Sequence, residues 1–157
     1  MGITIHYAGR AASEADIDAI IETSIGRARS LGWTGRVPAP EDIRAEGLVF
    51  LPHENSEPLT LHFSRTRRFS DFCKTQFAGP VVHRQVLEFL EHCLWPHCSK
   101  QILIDEAQDH YTEDDQPASL EEVFRASLEY IREGQKEYPG SEMQVRLPSG
   151  RIADLVG

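Results

Sequence analysis

The chain has 157 residues, 40% of them hydrophobic and 26% charged, ordinary globular values that exclude a wholly disordered chain. That length fits one domain burying roughly 70% of the surface its unfolded form exposes, so neither a disulfide scaffold nor a structural metal is needed for stability. The formal charge of −9, from 25 acidic against 16 basic residues, repels phosphate backbones and anionic lipids. It argues against nucleic acid and membrane and favours a basic protein partner.

Cys73, Cys93 and Cys98 form no familiar disulfide framework, and their odd number would leave a free thiol in an oxidising compartment. A reducing, cytoplasmic setting is the simpler expectation. No signal-peptide pattern opens the chain, and no apolar run reaches the roughly 18 residues that a membrane span requires.

In chain order, Ile3, Ile5 and Tyr7 alternate with Thr4 and His6, the pattern of a strand buried on one face. Ser13 and Asp16 then read as a variant capping box. Ile17, Ile20, Ile21, Ala28 and Leu31 keep to one helical stripe until Gly32 ends the helix. From Trp33 to Glu46, Gly35, Pro38 and Pro40 interrupt any period, which predicts a loop with a short helical turn near Glu41 to Arg44.

Gly47 to Leu51 is almost wholly apolar and predicts a strand covered on both faces. Pro58 to Phe63 alternates again, placing Leu59, Leu61 and Phe63 inward and Thr60 and His62 outward. Arg65, Arg67 and Arg68 crowd a predicted turn, which they most simply keep soluble. The strand predicted from Phe69 to Phe77 sends Cys73, Thr75 and Phe77 one way and Phe72, Lys74 and Gln76 the other. Pro80 suits the first position of the next helix, whose Val82, Val86, Phe89, Leu90, Cys93 and Leu94 share a face until Pro96.

Gln101 to Glu106 reads as a final core strand running into an acidic segment, Asp105 to Glu122, that contains neither Lys nor Arg. A capping box from Ser119 to Glu122 opens a third helix with a stripe of Leu120, Val123, Phe124, Ser127, Leu128 and Ile131. The order βαβββαβα describes an α+β protein. The expectation is a single mixed sheet of about five strands, with about three helices packed mainly on one face. Residues 1–140 form the domain. Residues 141–157 form a C-terminal tail that adds an edge strand or attaches loosely.

Two regions attract functional attention. The helix after Pro80 makes a crossover between strands that run parallel, so both end at one edge and bring Gln76 and His83 toward Asp105 and Glu106. His83, Asp105 and Glu106 are therefore the candidates for catalysis, although a first-turn histidine on an apolar face is more often a hydrogen-bonded core residue. The second region is the sheet face opposite the helices, where His6, His62, Lys74 and Gln76, with Phe72 as an exposed apolar residue, form a candidate binding surface. His92 to Cys98 offers four metal-type ligands, but a helix splays His92 and Cys93 about 100° apart. The acidic segment lacks a calcium loop's DxDxDG signature. No metal or cofactor is expected.

At KTQFAGP, Lys74 to Pro80, and again at DEAQDHY, Asp105 to Tyr111, the chain resembles a family of small uncharacterised bacterial proteins; ITIHYAGR, Ile3 to Arg10, resembles theirs too. Ala107-Gln108 stands where that family tends to glycine. The resemblance implies a cytoplasmic bacterial protein and names no reaction. Three functions stay in play: a binding or protein-interaction module, a small enzyme or metal-binding protein built on His83, Asp105 and Glu106, and an immunity or antitoxin type of protein.

Overall fold

The computed structural model describes residues 2–108 and 116–156. It opens with β1 (Thr4–Ala11), whose Ile5 and Tyr7 are buried. Ser13 Oγ accepts the Asp16 backbone N–H at 3.2 Å and so caps α1 (Glu14–Ser30), which buries Ile17, Ile20, Ser24 and Ala28. The segment expected to be loop contains a short strand, β2 (Thr34–Arg36), and one helical turn, α2 (Ile43–Glu46). Next come β3 (Leu48–Leu51), β4 (Leu59–Leu61) and β5 (Arg68–Lys74). β3 alternates buried and half-buried residues, so only one of its faces is fully covered.

Gly79, with φ at +97°, makes the turn into α3 (Pro80–Phe89), and Pro80 occupies a position whose N–H has no helical partner. Pro96 then disrupts the last turns. Leu90–Leu94 widens into a π-helical turn and Trp95–His97 tightens into a 3-10 turn before β6 (Cys98–Asp105). The Ser119–Glu122 capping box forms as predicted at the start of α4 (Leu120–Glu137), and β7 (Glu142–Arg146) and β8 (Ile152–Val156) complete the described chain. No helix among the described residues is long and apolar enough to cross a membrane.

The α+β class holds, but the expected single mixed sheet does not. Three small antiparallel sheets replace it, in the orders β5-β1-β6, β2-β3-β4 and β7-β8. β1 is central and both neighbours run antiparallel to it, so β5 and β6 are parallel to each other with β1 between them. The break between the first two sheets has a visible cause. The Tyr7 hydroxyl donates to Thr60 O at 2.8 Å and accepts from Thr60 N–H at 2.9 Å, taking the groups that β4 would otherwise offer to β5.

Tyr7 is buried, and burial is the first cause that raises its phenol well above the usual value, so it stays a neutral donor. Tyr7→Phe removes one atom and leaves both Thr60 backbone groups without that partner. We expect a loss of about 1–3 kcal/mol of unfolding free energy, measured by urea denaturation. A variant as stable as the wild type would show that β4 finds other partners.

The main core joins α1, α3 and the turns after it to one face of β5-β1-β6 and to the β3-β4 hairpin, with Ile5, Ile17, Ile20, Phe50, Leu59 and Phe89 among its members. A smaller core of Ile3, Ala107, Val123 and Phe124 lies under α4. Among the described residues no helix of that core lies on the other face of β5-β1-β6. There Phe72 is 39% exposed, Ile102 61% and Ile104 57%.

Candidate functional site

At the common end of β5 and β6 three side chains meet out of solvent. Thr75 Oγ1 lies 2.7 Å from His83 Nδ1, and Asp105 Oδ1 lies 3.0 Å from His83 Nε2; Thr75 and His83 are fully buried and Asp105 nearly so. The Asp105 approach has the distance of an ion pair without the direction of a good N–H···O bond. The same Oδ1 accepts the Ala107 N–H at 2.9 Å, and the Phe124 ring of α4 meets the imidazole edge-on with centroids 5.4 Å apart. When Nε2, the nitrogen facing the carboxylate, carries the proton, Nδ1 accepts from the threonine hydroxyl.

Acid, imidazole and hydroxyl thus stand in the order that activates a nucleophile. A reacting carbonyl, however, must reach the hydroxyl, and no surface of Thr75 meets solvent. What the arrangement plainly does is tie the end of β5, the first turn of α3 and the end of β6 together. Glu106 faces elsewhere: its Oε1 is 2.9 Å from His6 Nε2 and its Oε2 accepts the Thr4 N–H at 3.1 Å.

Gln76 departs from its expected place. β5 stops at Lys74, so the alternation that put Gln76 on the open face has already ended, and the residue is fully buried with no hydrogen-bond partner for either amide atom among the described residues. Lys74 is on the open face, but its ammonium is 2.7 Å from Asp154 Oδ1 of the C-terminal hairpin. That hairpin is anchored at a buried carboxylate. Glu57, 3% exposed, accepts the Ile152 N–H at 2.9 Å through Oε1 and the Lys74 N–H at 3.0 Å through Oε2, with Arg151 Nη1 at 3.3 Å. Arg151 also donates to Asp71 and lies over the Phe72 ring, 3.9 Å from its centroid. Nothing in the sequence pattern pointed to Glu57 or Arg151: Lys74 is 17 residues from Glu57, and the other side-chain partners of both are some eighty to a hundred residues away along the chain.

The open face itself is ordered in rows by strand register. Phe72, His6 and Ile104 lie side by side, then Ser70, Ala8 and Ile102, then Arg68, Arg10 and Lys100. Three cations therefore sit directly across from one another on adjacent strands, where Cβ atoms are about 4.5–5.5 Å apart and like charges repel. Among the described residues none of the three forms an ion pair, and Arg10 Nε is buried without a partner. A cleft of about 510 Å³ opens over this row, with the exposed His62 and Ser64 on its rim. It meets a second cleft of about 370 Å³ along His6, Phe72, Ile102 and Ile104, the two sharing the row of Ser70, Ala8 and Ile102. Of the residues expected on this face, His6, Phe72 and Lys74 are there, and His62, which follows β4 of the neighbouring sheet, borders it at the cleft rim. The cation row was missed, and only the pairing register reveals it.

The remaining candidates are dispersed. Cys73, Cys93 and Cys98 are free thiols; burial pushes Cys98 up to about 11 and raises the other two, so none is an activated nucleophile. His92 bonds to Glu88 O and His97 to Asp16, and among the described residues no three His, Cys, Asp or Glu side chains gather as a metal site. Asp109 to Asp115 of the acidic segment, including the end of DEAQDHY, lies outside the described residues.

Comparison of the chain with protein-family models, with curated proteins and with solved structures gives no match. The functional reading therefore rests on the residues themselves.

Proposed function

We propose that the protein is an interaction module that binds an extended, acidic and partly apolar segment of a partner protein on the open face of β5-β1-β6. The observation that carries this reading is the row of Arg68, Arg10 and Lys100, unpaired among the described residues and continuous with exposed Ile102, Ile104 and Phe72. The net charge of −9 favours a basic partner at long range. Within a Debye length of about 8–10 Å the local charges decide instead, and here they are positive. An anion bridging the row relieves the repulsion among its cations, and guanidiniums suit carboxylates through paired donors.

The test is a fluorescence-anisotropy titration with a labelled extended peptide of alternating leucine and aspartate, against a control with lysine in place of aspartate. The acidic peptide is expected to bind, more weakly as salt rises, and Arg68→Glu is expected to abolish binding without lowering thermal stability. Equal binding of both peptides, or of neither, would overturn the proposal. A second reading, an enzyme centred on His83, Asp105 and Glu106, draws support from the acid, imidazole and hydroxyl order at Thr75. It needs an opening of α4 that exposes the Thr75 side chain, which thiol labelling of a Thr75→Cys variant, located by mass spectrometry, would report.

A further inference from the structure

β6 is the most exposed apolar element of the fold. Its Ile102 and Ile104 lie on the open face, and Leu103, 40% exposed, points to the opposite one. An edge strand with apolar residues on both faces and no proline is a template for another strand, and proteins usually cover or charge such an edge. Among the described residues no strand pairs with the outer side of β6.

The register says which backbone groups face outward. The Glu106 N–H donates to Thr4 O at 3.1 Å, and bonded residues alternate along an antiparallel pair. Leu103, opposite Tyr7, is therefore in a non-bonded pair with β1, and its N–H and C=O aim away from β1. So do those of Gln101.

We propose that two copies of the chain join along the outer edges of β6, antiparallel, with Leu103 on the two-fold axis. In this register Leu103 exchanges both backbone bonds with Leu103 of the second copy, and the two leucines share one face. On the other face Ile104 lies opposite Ile102, so apolar meets apolar, and Lys100 comes opposite Glu106, the residue after β6, whose carboxylate it would share with His6 and the Thr4 N–H. Shifting by one step, with Ile102 on the axis, would set Leu103 against Gln101 and Ile104 against Lys100. Side-chain complementarity selects the first arrangement. The result is one continuous sheet of six strands, β5-β1-β6 twice over. Lys100 gains a partner at its end of the cation row, and Arg10 and Arg68 stay open to the cleft. This inference goes beyond the peptide-binding reading, since it turns on the outer edge of β6 and on Leu103 of the face opposite the cleft, while Lys100, Ile102 and Ile104 border both surfaces.

Sedimentation velocity over about 1–100 µM, the range suited to a small interface, tests it. The wild type is expected to form a two-chain species. Leu103→Glu and Leu103→Lys each place like charges on the axis and weaken association about a hundredfold, whereas their equimolar mixture restores a two-chain species with one of each. Leu103→Cys supplies a check that does not depend on a charged substitution: residues exchanging both bonds have Cα atoms about 5.5 Å apart, within disulfide reach, so mild oxidation is expected to link two chains through that residue. A wild type that stays single-chain, a pair insensitive to Leu103→Glu, or no rescue by mixing would overturn the proposal. Arg68→Glu should leave association intact and Leu103→Glu should leave peptide binding intact, so the two readings fail separately.

Discussion

Replacing Glu57 by alanine is expected to lower the unfolding free energy by about 3–5 kcal/mol and to release the C-terminal hairpin. The carboxylate is 3% exposed and serves three donors from two distant parts of the chain: the Lys74 N–H, the Ile152 N–H and the Arg151 guanidinium. Alanine leaves the two backbone donors without that acceptor and removes one of the two carboxylates around Arg151, the other being Asp71. Glu57→Gln keeps one acceptor oxygen and the side-chain volume, and should cost roughly half as much. Urea unfolding gives the magnitude, and hydrogen exchange gives the place. The Ile152 and Lys74 amides should lose protection in Glu57→Ala well before the amides of β1. Unchanged protection at Ile152 would mean that the hairpin is held by its other contacts, among them Arg146 to Glu54 O and Ser56 O and Lys74 to Asp154.

That clamp shows where sequence reasoning stops. Patterns with a short period were legible: the Ser13 and Ser119 caps, the stripe of α1, Pro80 opening α3 and the alternation of β1 all follow from neighbours within a turn or a strand. The crossover from β5 through α3 to β6 was enough to bring His83 toward Asp105. What failed depended on partners far apart in the chain. The first two sheets are separate because a β1 side chain, Tyr7, reaches the β4 backbone at Thr60, and no periodicity encodes that meeting. Gln76 was misplaced because alternation cannot say where a strand ends. Arg10, Arg68 and Lys100 were each visible as charges, but only register turns them into a row.

His83→Ala is expected to cost about 2–4 kcal/mol through lost packing against Phe124 and a stranded Thr75 hydroxyl. Thr75→Val keeps the shape of Thr75 but removes its oxygen, leaving His83 Nδ1 without its partner, and should cost about 1–3 kcal/mol. If the 2.7 Å contact is the link between β5 and α3, the two losses are not independent. Each single variant already forfeits the bond, so the double variant should be less destabilised than the sum by about 1 kcal/mol. Additive losses would mean that the two side chains contribute separately and that the imidazole acts only as filler beneath α4. A cost below about 0.5 kcal/mol for His83→Ala would be more consequential. A buried histidine that stability does not require, held between a carboxylate and a hydroxyl, would shift the balance toward catalysis and make the opening of α4 the next thing to measure.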